Sequence, residues 1–233
     1  MRIVKAIALG LGLSVLGVAG NASADSLIIN GSFEQGRFTG GSFGYPLAQQ
    51  IIGPDSTTLP GWTVTGELAW IASGMSGITV NDGTYALDLT GFCDLSCGTP
   101  YGGVQQTVLT TPGTTYTLSF LAGNYPYNTS QPTMVVNIGG NSYSFTLPST
   151  TLASVWDSET ITFIATTAST LISFTGSGGA VGGTYYLGLD NVSLSDPPPS
   201  VPLPAALPLF ASGLGALGLL GWRRKKKIGS VSA

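Results

Sequence analysis

Short runs in which apolar and polar residues alternate recur along the middle of the chain. In residues 115–121 (TYTLSFL), Tyr116, Leu118 and Phe120 would share one face of an extended strand, and residues 160–164 and 170–174 alternate in the same way. Gly, Pro, Asn, Asp and Ser separate these runs, and no stretch has the period of a long helix. The pattern therefore predicts an all-β domain.

The runs predict eleven strands, with a hairpin turn at Gly139-Gly140-Asn141. Strands of this number and length fit a two-sheet β-sandwich with antiparallel pairing, and we expect a single jelly roll over residues 25–196. The predicted strands cover residues 27–30, 61–65, 67–72, 84–90, 103–109, 114–122, 133–138, 142–147, 159–165, 170–175 and 185–195.

The first 24 residues have a different pattern. Arg2 and Lys5 precede an uncharged apolar run at residues 6–20, and Ala22-Ser23-Ala24 has the small residues of a signal-peptidase site. Residues 1–24 are therefore predicted to be a signal peptide, and the protein to be exported.

Near the other end, a second apolar run lies beside a basic cluster. A proline-rich spacer leads into 22 uncharged residues at 201–222, which is about the length that crosses a bilayer as a helix. We predict a transmembrane helix over residues 205–222 and a cytoplasmic tail over residues 223–233, because basic residues stay on the cytoplasmic side. The basic residues that would stop translocation are Arg223, Arg224, Lys225, Lys226 and Lys227.

Residues 201–227 (VPLPAALPLFASGLGALGLLGWRRKKK) resemble the PEP-CTERM sorting signal in its VPLPA variant. The resemblance implies a Gram-negative bacterial protein processed by an exosortase, and it places the spacer and sorting motif at residues 197–204. With the signal peptide, it implies a domain anchored in the inner membrane, exposed to the periplasm, and then sorted to the cell surface or secreted. The motif itself comprises Val201, Pro202, Leu203, Pro204 and Ala205.

Charge is segregated along the chain. Residues 25–200 contain all 11 acidic residues, Arg37 as their only cation and no His, so this stretch has a net charge of −10. Without a basic patch, nucleic-acid binding is excluded. Without His, the commonest general base is missing.

A pair of catalytic carboxylates, as in glycosidases, could be drawn from Glu67, Asp88, Asp157 and Glu159. No sequence pattern brings two of them together, and we predict that the protein is not an enzyme.

Motifs in the domain resemble a known family in their order along the chain. They include residues 30–34 (NGSFE), 60–64 (PGWTV), 82–89 (DGTYALDL) and 189–194 (LDNVSL). This order is similar to that of the domain of unknown function 642, whose members include plant cell-wall proteins with galactose-binding-like jelly rolls. The first and last motifs also resemble carbohydrate-binding modules of families 4, 9 and 22. The resemblance implies carbohydrate binding, and a structural calcium ion held by Glu34 and Asp190.

Sugar binding needs exposed aromatic rings with polar partners beside them. The best loop is residues 124–128 (NYPYN), where Tyr125 and Tyr127 would stack on sugar rings and Asn124 and Asn128 would bind hydroxyl groups. Tyr101 and Tyr45 are further candidates. Trp62 and Trp70 lie within strand motifs and are predicted to be core residues, while Trp156 fits either role.

Cys93 and Cys97 are the only cysteines, and in an exported protein such a pair indicates a disulfide that closes a surface loop.

Two functions remain open. The first is noncatalytic binding of an extracellular polysaccharide. The second is a structural role in a biofilm matrix, through contacts with other proteins or with itself.

Overall fold

The computed structural model describes residues 26–41, 49–75, 78–91, 101–124, 131–148, 154–177 and 186–196. The strands in these segments are β1 (Gln49–Ile52), β2 (Thr63–Val64), β3 (Leu68–Ala72), β4 (Tyr85–Asp88), β5 (Gly103–Leu109), β6 (Thr115–Asn124), β7 (Thr133–Ile138), β8 (Asn141–Thr146), β9 (Val155–Ile164), β10 (Ser169–Ser177) and β11 (Gly188–Ser195). They form a six-stranded sheet in the order β1-β3-β4-β11-β6-β9 and a five-stranded sheet in the order β2-β5-β10-β7-β8. Every recorded strand pair is antiparallel, which confirms the predicted all-β sandwich.

Aromatic side chains join the two sheets through one core. Phe120 on β6 packs edge-on against Phe174 on β10, with ring centroids 5.1 Å apart, and against Phe145 on β8 at 5.4 Å. Phe120 is also the cross-strand partner of Glu159 on β9. The terminal strands β8 and β9 of the two sheets therefore lie on the same side of the sandwich.

A smaller apolar cluster covers the outer face of the six-stranded sheet. It contains Ile71, Ile78 and Tyr186, and the half-buried Trp156 packs against it. The Trp156 indole donates a hydrogen bond to the Thr79 carbonyl at 2.7 Å. Trp156 thus holds the loop after β3 against the sheet, which gives it a structural role.

The strand predictions fail at the start of the domain. Residues 27–30 form no strand, because Ile29 bonds to the side-chain amide of Gln106 instead of a neighbouring strand, and Asn30 has a φ of 54°. Strand β1 was not predicted, because its four residues begin with two glutamines and show no alternation. The hairpin between β7 and β8 is confirmed: Gly139 and Gly140 have φ values of 55° and 92°, which the tight turn requires.

Several predicted features lie outside the described residues. They are the signal peptide (1–24), the spacer, sorting motif, transmembrane helix and tail (197–233), Cys93, Cys97, Tyr45, Tyr125, Tyr127 and Asn128. Within the segments that the structure describes, no helix is long and apolar enough to cross a membrane.

Candidate functional site

The NGSFE motif forms a tight turn to which both core tryptophans bind. The Asn30 side chain donates to the Gln35 carbonyl at 3.0 Å and accepts from the Gln35 amide at 2.9 Å. The Trp62 indole donates to the Asn30 carbonyl at 2.9 Å, and the Trp70 indole donates to the Phe33 carbonyl at 3.1 Å. Trp62 and Trp70 are buried, so their prediction as core residues is confirmed. The motif is therefore a structural element.

The same turn contacts the last motif of the domain. The Val192 amide donates to the Gly31 carbonyl at 2.9 Å. A Cβ atom on Gly31 would lie only 1.8 Å from the Val192 carbonyl oxygen, so only glycine allows this approach. The first and last segments of the domain are thereby joined through backbone contacts.

Glu34 and Asp190 both bind the backbone of the segment that leads into β4. The Glu34 Oε1 atom accepts hydrogen bonds from the amides of Thr84 at 2.8 Å and Tyr85 at 2.7 Å. The Asp190 Oδ2 atom accepts one from the Asp82 amide at 3.2 Å. Two carboxylates that are distant in sequence thus hold adjacent parts of one loop.

Asp190 is fully buried, and burial raises its pKa to about 7. Backbone hydrogen bonds from Asn191 and Asp82 oppose this shift, while the charges of Asp82 and Glu34 add to it. Carboxylate oxygens are the ligands that calcium prefers. Among the described residues, however, no three His, Cys, Asp or Glu side chains are grouped so that they could hold a metal ion. Glu34 and Asp190 therefore fit a calcium ion only if carbonyl oxygens complete its coordination.

The raised pKa of Asp190 predicts a pH dependence of stability in EDTA-treated protein. An unfolded aspartate ionises near pH 4, whereas folded Asp190 holds its proton up to about pH 7. Its contribution to stability is thus full below about pH 4 and is lost as the pH rises through 7. We expect the Tm to fall between pH 5 and pH 8, and to fall less in Asp190→Asn. Equal slopes in thermal unfolding of the two proteins would contradict this prediction.

A second group of polar and aromatic side chains lies between the terminal strands β8 and β9. Tyr143 and Phe145 on β8 pair with the core residues Val136 and Met134, so they point into the sandwich, yet both are only half-buried. We call these two residues, together with Asp157 and Glu159 on β9, the edge site.

Asp157 and Glu159 form the opposite wall of the edge site. Their cross-strand partners are Ala122 and Phe120, whose side chains lie in the core, so the two carboxylates also point between the sheets. Both are half-buried. Burial, and then the charge of Asp157, raise the pKa of Glu159. Because Phe120 contacts Phe145 and is paired with Glu159, the aromatic and acidic walls face each other.

Three of the carboxylates considered for catalysis lie in two different places. Asp157 and Glu159 are two residues apart on one strand, which places them about 7 Å apart on the same wall. Glycosidases need carboxyl groups that flank the scissile bond. Asp88, another carboxylate considered for catalysis, is buried and accepts hydrogen bonds from Thr90 and Leu187.

Two of the residues predicted to bind sugar, Asn124 and Tyr101, lie within the described part of the chain, and both make contacts inside the fold. Asn124 is 1% exposed, and its side chain donates to the Pro148 carbonyl at 2.6 Å. Tyr101 is half-buried, and its ring lies where a Cβ atom on Gly176 would be. These contacts argue against Asn124 as a direct sugar ligand, and they show that the Tyr101 ring packs against the core beside Gly176. The sequence pattern does not single out Tyr143 and Phe145, because the alternation in β8 is the same as in the other strands.

The chain is similar to several solved structures. TmCBM61, solved in complex with β-1,4-galactotriose, has 16% identity and a TM-score of 0.45, covering 75% of this chain and 100% of that chain. A family 35 carbohydrate-binding module from Clostridium thermocellum has 14% identity and a TM-score of 0.38, covering 63% of this chain and 97% of that chain. An exo-β-1,3-galactanase from Phanerochaete chrysosporium has 13% identity and a TM-score of 0.38, covering 64% of this chain and 29% of that chain.

No curated protein matches the chain. A family model does: the one described as "Protein of unknown function (DUF642)" matches residues 26–195. This match confirms the resemblance drawn from the ordered motifs, from NGSFE near residue 30 to LDNVSL near residue 190. By its sequence and its two-sheet β-sandwich, the chain belongs to the DUF642 family.

Proposed function

We propose that this protein binds an extracellular polysaccharide without cleaving it, and that it does so at the edge site. The observation that supports this proposal is the pairing of two half-exposed aromatic rings, Tyr143 and Phe145, with the carboxylates of Asp157 and Glu159. Sugar rings have apolar faces that pack on aromatic side chains, and their hydroxyl groups donate to carboxylate oxygens. The edge site offers both kinds of contact.

The proposal predicts that Asp157→Asn combined with Glu159→Gln weakens glycan binding at least tenfold. Hydrogen bonds to charged groups contribute about 1.5–3 kcal/mol each, and about 1.4 kcal/mol corresponds to a factor of ten. Binding would be screened on a glycan array and quantified by calorimetry. Asp196→Asn removes an exposed carboxylate beyond the last strand and serves as the control. Equal affinities of the double variant and the control would refute the site.

Among the described strands, β8 ends the five-stranded sheet, and this position favours a second candidate function, self-association. This terminal strand (NSYSFT) contains no charged residue and no proline, the features that usually protect an exposed edge. Pairing of β8 with a second copy would support the structural, biofilm-matrix role. Sedimentation velocity over a range of concentrations, with Ser144→Lys as the disrupting variant, distinguishes this function from glycan binding by a monomer.

Export and sorting complete the proposal. Residues 1–24 would direct secretion, residues 205–222 would hold the protein in the inner membrane, and an exosortase would cleave near Val201–Ala205. The domain would then reach the cell surface or the medium. Mass spectrometry of the exported protein should find neither the first 24 residues nor peptides from residues 222–227. Intact basic tails in exported material would overturn the sorting step.

We also propose that a calcium ion binds beside Glu34 and Asp190, as the family resemblance implies. The two carboxylates are close enough that the charge of Glu34 contributes to the raised pKa of Asp190. A bound divalent cation would supply positive charge there and tie the first motif to the last. It would thus stabilise the fold rather than take part in any reaction.

Calcium is expected to raise the Tm if this proposal is correct. At a concentration 100-fold above the Kd, a ligand that binds only the folded state adds about 2.7 kcal/mol, which corresponds to roughly 5–10 °C in a domain of this size. Thermal unfolding would be compared in calcium and in EDTA, with magnesium as the control ion. Asp190→Asn should abolish the difference. A wild-type Tm that is the same in calcium and EDTA would contradict the proposal.

A further inference from the structure

We infer that the edge site selects neutral polysaccharides and rejects glycans that carry carboxylate or sulfate groups. This inference rests on the proposed function and adds the chemical class of the ligand. It follows from the charges on the two walls of the site, from the position of the only cation in the domain, and from the hydrogen-bonding chemistry of carboxylates.

The acidic wall carries two like charges in a partly desolvated place. Asp157 and Glu159 are half-buried, point between the sheets and lie about 7 Å apart. Facing them, Tyr143 and Phe145 offer aromatic surface and no positive charge. An anionic sugar in this space would meet two carboxylates at short range, where repulsion is less screened than on an open surface.

Among the residues that the structure describes, no cation is placed to compensate for these charges. Arg37 is the only Lys or Arg between residues 25 and 200. Its neighbour Phe38 packs on Trp70 of β3 and Tyr85 of β4, with ring centroids 5.1 Å and 4.6 Å away. Strands β11 and β6 separate β4 from β9 in the six-stranded sheet. Arg37 therefore lies in the other half of the sandwich from the edge site.

Hydrogen bonding leads to the same selection. An ionised carboxylate only accepts hydrogen bonds. Neutral sugars present hydroxyl groups that donate to it, whereas carboxylate and sulfate groups on a glycan are themselves acceptors. If an anionic group replaced a hydroxyl group, the glycan would lose a hydrogen-bond donor. The anionic group and the protein carboxylate would then face each other as two acceptors without a donor, which costs free energy in a partly buried site. Asp157 and Glu159 thus favour ligands rich in free hydroxyl groups.

The test compares matched pairs of polysaccharides that differ in charge. Hydroxyethyl cellulose would be paired with carboxymethyl cellulose, and fully methyl-esterified polygalacturonate with polygalacturonate, beside unmodified galactan, xylan and mannan. With the full-length protein in 20 mM salt, we expect at least one neutral glycan to bind and the charged member of a pair to bind at least tenfold more weakly. In 500 mM salt the difference within the pair should shrink but not vanish, because salt screens these half-buried charges only in part.

Variants separate the possible outcomes. In Asp157→Asn/Glu159→Gln, which keeps the side-chain shapes, the neutral glycan should bind more weakly and the preference over its charged counterpart should fall to less than threefold; Asp196→Asn should leave both unchanged. If the wild-type protein binds the charged member as tightly as the neutral one, the selectivity is overturned while the proposed function stands. If it binds no glycan of either class, both are overturned.

Discussion

Replacing Trp70 by alanine is expected to lower the free energy of unfolding by about 3–5 kcal/mol. The side chain is fully buried and packs against Phe38 and Tyr85, with ring centroids 5.1 Å and 5.3 Å away. Its indole N–H also satisfies the Phe33 carbonyl. The variant would lose apolar burial, open a cavity and leave that buried carbonyl without its donor.

The control for this prediction is Trp156→Ala, which removes the same side chain from a half-buried place on the outer face of the six-stranded sheet. Urea unfolding followed by circular dichroism would give both free energies. We expect the loss in Trp156→Ala to be less than half of that in Trp70→Ala. Equal losses would show that the NGSFE turn does not depend on the indole of Trp70.

Gly31→Ala is also expected to lower the free energy of unfolding strongly, by about 3 kcal/mol. This value is at the upper end of the usual cost of overpacking. The added methyl group would lie 1.8 Å from the carbonyl oxygen of Val192. Because this neighbour is backbone, it cannot rotate away as a side chain could. The first turn and β11 would have to separate, breaking the hydrogen bond between the Val192 amide and the Gly31 carbonyl.

Gly53→Ala is the matched control, since a Cβ atom at Gly53 would have no neighbour within 4 Å. Its free energy of unfolding should stay within about 0.5 kcal/mol of the wild type, as for most surface substitutions. A Gly31→Ala protein as stable as Gly53→Ala would mean that the contact between the two motifs is not needed for folding. The free energy of unfolding of Gly31→Ala should also be the same in calcium and in EDTA. Any stabilisation by calcium would be lost, because Glu34 and Asp190 lie close in sequence to the two residues that make this contact.

The alternation of apolar and polar residues was sufficient to predict most of the strands. Residues 115–121 alternate because one face of β6 meets the core and the other does not, and the structure buries Tyr116, Leu118 and Phe120 as predicted. The pattern failed at residues 27–30, where the backbone of Ile29 pairs with the side chain of Gln106 and not with a strand backbone. No local signal can report such a partner, since it lies far away in the sequence.

The candidate site depended much more on tertiary structure. Asn124 was predicted as a sugar ligand because it borders a tyrosine-rich loop, but the fold buries it against the Pro148 carbonyl. Asp157 and Glu159 were considered as isolated carboxylates. Only the tertiary structure shows that Glu159 pairs with Phe120, which contacts Phe145, and thereby places them on the same side of the sandwich as Tyr143 and Phe145.

The sequence by itself determined the β class, the family, the segregation of charge and the shortage of cations in the domain, because these follow from alternation, motif order and counting. Only the tertiary structure decided that the NGSFE turn holds the two core tryptophans and that two terminal strands form a mixed aromatic and acidic edge. The physical reason is the two-residue period of a strand. It specifies which side chains share a face, whereas the pairing and stacking of sheets decide what that face meets.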